Sequence, residues 1–326
     1  MLGKPPCAGV LAPTEVPVTT LTFASVFMFF TIPGNLLVVL AIVKDPYRNM
    51  RTPFCGLVIS LAMTDLIVGI LVLPLSIYIH KRELEQLPIT MSWLSQFTYF
   101  LLCTASLLSL TALTIDRYLS ITAPLWYHVN ATFYRACILS ILVWLLAIIF
   151  AATFFKVGFI LYSFVFANIA LFFSLSILVF AYIMIFRKLK MELAVLQSFS
   201  GSDEERDRTR VRAVNRERKI VNAYMLMIAV FLLTYGPSCI MVYLMNLCTD
   251  CSCALIHWLR DMHFVFVTAN SFLNPIVYAF RLPNFRSATA RLFGNLQLKK
   301  RQVEPRSANN DFSAASESGL QSVTPV

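Results

Sequence analysis

Charge is scarce in this sequence: 13% of its 326 residues are Asp, Glu, Lys or Arg, against 58% that are hydrophobic. A water-soluble domain carries roughly 25% charged and about 45–50% apolar residues, so a soluble fold is excluded and a lipid-embedded one is expected. Acidic side chains are the rarer sign, 17 against 27 Lys and Arg. Catalytic signatures are also lacking. No HExxH, GxSxG or Gly-Lys-Ser phosphate loop occurs, which removes the zinc peptidase, serine hydrolase and nucleotide-hydrolysing classes, and no enzyme is expected. Neither an internal repeat nor a pair of interrupted spans in corresponding halves is visible, the pattern a secondary transporter tends to carry. Residues 1–19 are too few for a folded ectodomain, so a ligand is expected within the bundle or at its mouth.

What is present is apolar length. Crossing the hydrocarbon core takes roughly 20 apolar residues in a helix, because no water is there to satisfy an open backbone. Seven stretches meet that length: 20–43, 53–79, 87–121, 133–155, 158–189, 219–245 and 254–280. The expected fold is an all-α, seven-transmembrane-helix bundle over 20–280, a short amphipathic eighth helix over 281–298 and a disordered tail over 299–326. The first span is too long, and its flank too poor in positive charge, for a cleaved signal peptide, and reads as a signal anchor. Lys4, Lys81, Arg82, Lys156 and Arg260 share the side of the amino terminus, and the rest of the 27 Lys and Arg lie opposite. The positive-inside rule then puts the amino terminus outside and the carboxyl terminus in the cytoplasm. The Arg-rich stretch 206–219 reads as juxtamembrane charge, not as a nucleic-acid site.

Polar residues inside the spans carry the chemistry. Asp65 is a carboxylate in mid-span, where insertion costs at least about 2.5–3.5 kcal/mol. Asn35, Ser106, Asn270, Ser271 and Asn274 lie at comparable depth and could build an allosteric sodium or water pocket around it. At the inner end of the third span, Asp116-Arg117-Tyr118 offers a cation that can pair with Asp116 or reach Glu217 on the sixth span. Such a pair is a two-state latch. Pro237 must kink the sixth span and Asn274-Pro275 the seventh. Tyr278 then stands near the inner mouth, with Tyr182 as its expected partner.

Asn35 in GN, Asp65 in LAMTD, the Asp116–Tyr118 tripeptide, Trp144, Pro237 after FLLTYG and Asn274–Tyr278 as NPIVY together resemble rhodopsin-class G-protein-coupled receptors. The resemblance covers all seven spans. It implies a multi-pass plasma-membrane receptor for an unidentified extracellular ligand, coupled to a heterotrimeric G protein, in which Arg117, Tyr182 and Tyr278 reorganise on activation. Pro124 and Leu125 would help dock the G protein. Ser313, Ser316, Ser318, Ser322 and Thr324 could recruit arrestin once phosphorylated. A non-signalling transporter or scaffold is the alternative.

Departures from the family bear on the ligand. Tyr99 stands where monoamine receptors place an Asp, and Thr268 where opsins place a Lys. Tyr235 replaces the usual Trp of the sixth span. The candidate pocket comprises Gln96, Tyr99, Cys103, Tyr235, Cys239, His263, Phe264 and Val267, an aromatic and nearly uncharged set that suits a lipid, a nucleoside or a small neutral molecule. Cys7, Cys248, Cys251 and Cys253 are external, where disulfides persist, and four cysteines allow three pairings. The Cys-x-x-Cys-x-Cys cluster is similar to that of melanocortin receptors, which tie the amino terminus to the third external loop. That likeness implies Cys248–Cys251 or Cys248–Cys253, with Cys7 on the remaining thiol, and would admit a short peptide ligand. The absence of a Pro from the fifth span, the minimal second external loop and PLWYHVNAT agree with it and are partly shared with adenosine, cannabinoid and lysophospholipid receptors. The acidic residues melanocortin receptors use are replaced near Leu75, Ser92 and Gln96. Cys55, Cys103, Cys137 and Cys239 are expected to be reduced.

Overall fold

The computed structural model describes Cys7, residues 9–45, 50–158, scattered positions between 162 and 191, and 204–248, 250–281 and 285–291; the side chains of 204–224 and 280–281 are not described. The first helix, Glu15–Lys44, begins earlier than residue 20 because Glu15 places an acid in the first turn, where the helix dipole favours it. The second, Pro53–Leu84, starts on Thr52, whose side chain accepts the Cys55 backbone N–H at 3.3 Å, with Pro53 at the first position. The third is Ser92–Thr122, followed by the short helix Pro124–Asn130. The fourth, Phe133–Val157, is capped in the same way by Thr132. Of the fifth expected span, positions such as 183–187 are helical. The sixth helix is Glu204–Leu247 and the seventh Cys253–Arg281.

Among the described residues, five helices are long and apolar enough to cross a membrane. The seventh has the length, 29 residues, but carries Arg260 and Asp261 in its outer part. The sixth and seventh helices pack along each other, the first packs on the second and seventh, and the third lies between the second and fourth. Polarity is inverted relative to a soluble protein. Asn35, Thr64, Asp65, Ser109 and Asn274 are buried, whereas Phe29, Ile149, Phe172 and Leu233 are exposed, as lipid contact requires.

Two local features position the site. Within the second helix, Val68–Val72 forms a π turn just ahead of Pro74. Pro74 has no N–H to continue the α ladder, and the extra residue rotates everything beyond it by about 100°, one residue at 3.6 per turn. At the centre, Gly34 faces Pro275: a Cβ on Gly34 would lie 3.0 Å from the Pro275 Cβ. Residues 285–291 form a helical turn pair burying Phe285 and Ala288 with Arg286 and Arg291 exposed, the amphipathic pattern expected of the eighth helix. The tail 299–326 lies outside the described residues.

Candidate functional site

Near the inner end of the third helix, Arg117 pairs with its own neighbour. Its Nε and Nη2 donate to Asp116 Oδ2 at 2.9 and 2.5 Å, and both side chains are buried. Tyr127, on the short helix after the third, closes a triangle: its hydroxyl donates to Asp116 Oδ1 at 2.8 Å and accepts from Arg117 Nη2 at 3.1 Å. The guanidinium also lies 4.6 Å from the Phe54 ring centre, a cation–π distance. Burial, opposed by the Arg117 charge, pushes the Tyr127 phenol above its ordinary value, so the hydroxyl keeps its proton. Of the two expected partners for Arg117, Asp116 is therefore engaged. Glu217 lies on the sixth helix, with its side chain outside the described residues. Tyr118 is half-buried and Leu125 is 86% exposed beside exposed Pro124.

In mid-bundle, Asn274 Nδ2 donates to Asp65 Oδ2 at 2.8 Å. Asn35 Nδ2 donates to the Ser271 carbonyl at 3.2 Å, tying the first helix to the seventh. Asp65 Oδ1, Asn35 Oδ1 and the Tyr278 hydroxyl find no partner among the described residues although all are buried. Ser106 and Ser271 line a cavity of about 10 Å³, the room of a single water or small ion. An unshared carboxylate oxygen with buried oxygens around it fits the donor set of a sodium ion. Asn270 is buried on the same helix, yet Asn274 is the amide that reaches Asp65. Tyr278 is fully buried, and Tyr182 lies outside the described residues.

The outer end holds a larger cavity of about 260 Å³. Of the candidate pocket residues, Gln96, Tyr99, His263 and Phe264 line it, while Tyr99, Cys103, Tyr235 and Val267 line the smaller one. Cys239 lines neither. Tyr99 Oη lies 3.0 Å from His263 Nε2, and His263 Nδ1 lies 2.6 Å from Ser238 Oγ. That chain joins the third and seventh helices to the residue after Pro237. Tyr235 stacks on Phe231 with ring centres 4.5 Å apart.

The expectation of a nearly uncharged pocket is corrected by four residues that the sequence reading did not assign to it: His80, Glu83, Arg260 and Asp261 all line the outer cavity. Asp261 is buried and accepts from His80 Nε2 at 3.2 Å, Thr20 Oγ1 at 3.2 Å and Arg260 Nε at 2.7 Å. The π turn carries Ser76, His80 and Glu83 to this wall, so Leu75 is not part of it. Above the cavity, Cys7–Cys253 and Cys248–Cys251 are bonded. This is one of the two expected pairings, and it holds the amino-terminal segment on the seventh helix, where His257 Nε2 also lies 3.1 Å from the Val10 carbonyl. Cys55, Cys103, Cys137 and Cys239 are free.

Residues 34–278 match a family model described as 7 transmembrane receptor (rhodopsin family). Among similar proteins, the histamine H2 receptor of Canis lupus familiaris is 33% identical over 153 residues, 45% of this chain and 38% of that protein. The tyramine receptor 1 of Locusta migratoria is 36% identical over 135 residues, 41% of this chain and 27% of that one. The dopamine D2-like receptor of Drosophila melanogaster is 30% identical over 118 residues, 36% and 13% of the two chains. The chain thus spans well under half the length of the relatives it matches. All three are named for amines, and they give the expected leaning towards melanocortin, adenosine, cannabinoid or lysophospholipid receptors no support.

Proposed function

Since the chain belongs to the rhodopsin family of seven-transmembrane receptors, we propose that it receives a small extracellular ligand in the outer cavity and activates a heterotrimeric G protein at its inner face. The observation that carries this reading is the Asp116–Arg117–Tyr127 triangle, a buried, paired charge at the end of the most central helix. Releasing Arg117 from it gives a second discrete arrangement, as a switch requires. Exposed Leu125, Trp126 and Val129 beside the triangle supply an apolar surface for the G protein. Arrestin is the second proposed partner, through the tail serines.

The amino terminus faces outward and the carboxyl terminus the cytoplasm. The Lys and Arg distribution supports this orientation, as do the two disulfides, which persist in oxidising surroundings. Asp65, with Asn274, Ser106 and Ser271, holds an allosteric sodium ion, whose charge would balance the buried carboxylate. The relatives' names favour an amine-bearing ligand over a lipid or a melanocortin-like peptide, and a cavity of about 260 Å³ suits one smaller than a drug-sized molecule. The third-helix residues that line the cavity, Ser92, Ser95, Gln96 and Tyr99, carry no charge, so the amine finds its counter-charge on another helix.

Guanine-nucleotide exchange in membranes holding the receptor and each G-protein class tests the proposal. Wild-type receptor should give measurable basal exchange, and Tyr127→Phe, which removes one corner of the triangle, should raise it. No exchange with any class, in either protein, would favour the non-signalling scaffold.

A further inference from the structure

The charged wall of the outer cavity has an internal balance that constrains what it can hold. His80 Nδ1 lies 2.7 Å from the Ser76 carbonyl oxygen and its Nε2 3.2 Å from the Asp261 carboxylate. The Ser76 hydroxyl also lies 3.2 Å from Nδ1, but the carbonyl is nearer, and it and the carboxylate only accept, so both ring nitrogens carry protons and His80 is an imidazolium. With Arg260 it makes two positive charges, against Asp261 and Glu83. The cluster is neutral as a whole.

Its members differ in spare capacity. Asp261 takes three donors and His80 has used both of its own. Among the described residues Glu83, with its side chain only 11% exposed, makes one ion pair, to Arg260 Nη2 at 3.5 Å, well beyond the 2.7–2.9 Å of a charge-assisted hydrogen bond. Arg260 commits Nε to Asp261, while among the described residues its outer nitrogens reach Glu83 alone, at that same distance, with 41% of the side chain exposed. One carboxylate and one guanidinium, adjacent and under-used, therefore face the cavity together. The same cavity is lined by the apolar side chains of Ile79, Val242, Met245 and Phe264 and by the ring of Tyr99.

We propose that the ligand is a zwitterion of the α-amino-acid class with an aromatic or branched apolar side chain, its ammonium on Glu83 and its carboxylate on Arg260. A monocation or a monoanion would leave a net charge in a site whose own charges already cancel, where the low dielectric penalises the excess. A zwitterion supplies both complements at the short separation the Glu83–Arg260 pair presents. This deepens the receptor reading and rests on it for the site's signalling role, but binding can be measured apart from signalling.

The test uses the purified full chain in lipid nanodiscs, with thermal unfolding followed in the presence of three probes sharing one ring: phenylalanine, phenethylamine and 3-phenylpropionate. Phenylalanine should stabilise wild type at a concentration at least about tenfold lower than either singly charged probe, a gap of about 1.4 kcal/mol. Glu83→Gln should reverse the order towards 3-phenylpropionate, and Arg260→Gln towards phenethylamine. A wild-type preference for phenethylamine, equal weakening of all three probes in both variants, or no response to any probe would overturn the proposal. If a variant fails to fold, the wild-type ranking decides alone. Phenylalanine binding without nucleotide exchange would sink the receptor reading and leave the site standing.

Discussion

Single side chains decide most of the chemistry. Asp261 holds two cations, so Asp261→Asn would leave His80 and Arg260 facing each other without a shared anion. Breaking a buried pair in this way costs about 3–5 kcal/mol, and a marked fall in the melting temperature of the purified receptor is expected. At the inner end, Tyr127→Phe removes one donor from Asp116 and one acceptor from Arg117. A loss of about 1 kcal/mol per hydrogen bond predicts a several-fold rise in basal nucleotide exchange. Because burial holds the Tyr127 phenol above its usual value near 10, its contribution is complete below that pH and is lost only as pH rises through the higher folded value. The excess exchange of Tyr127→Phe over wild type should therefore be flat from about pH 6 to 9, and a strong slope attributable to Tyr127 would contradict the assignment. Asp65 and Arg117 were legible in the sequence because a charge in mid-span and an Asp-Arg-Tyr at a span's end are visible against apolar neighbours. Asp261 was not, because it adjoins Arg260 near a helix start and reads as ordinary end-of-span polarity.

Elements determine where those side chains point. The seven spans were legible from length and composition alone, and the observed helices depart from the expected bounds by a turn or so at outer ends, as with Glu15 and Leu84, and most at the inner end of the sixth, which begins at Glu204. The π turn was not legible. Pro74 announces a disturbance, but a helical wheel of constant period assigns Leu75 to the ligand side where the structure puts Ser76, His80 and Glu83. Pro74→Ala should let the segment relax towards regular α-helix and uncouple His80 from Asp261. In a double-mutant cycle with Asp261→Asn, unfolding energies should then be far from additive, whereas additivity would separate the π turn from the charged wall. Close contact of the first and seventh helices is equally specific. Gly34→Ala forces a methyl against Pro275, and overpacking of this kind typically costs about 1–3 kcal/mol, measurable as a lower melting temperature.

On the scale of the molecule, three polar layers lie along one bundle: a charged wall under the disulfides, a buried carboxylate at mid-depth and a paired arginine at the inner end. The Cys7–Cys253 bond closes most of the chain into one loop and fixes the amino-terminal segment over the cavity. Its removal by Cys7→Ser with Cys253→Ser should lower stability by about 2–4 kcal/mol and weaken ligand retention more than basal exchange. The sequence left three cysteine pairings open and the family resemblance implied two of them, since spacing says nothing of which sulfur the amino-terminal segment reaches. It could not reveal that the pocket is charged, because that property arises only when the ends of the second and seventh helices meet.

The central claim is that a paired Arg117 holds the receptor inactive towards its G protein. The most direct measurement is the basal nucleotide-exchange rate catalysed by purified wild type and Asp116→Asn in lipid vesicles with a responsive G protein. Hydrogen bonds to charged groups contribute about 1.5–3 kcal/mol, so freeing Arg117 should raise the rate by roughly tenfold or more. An Asp116→Asn receptor that folds, reaches the membrane and exchanges no faster than wild type would contradict the account.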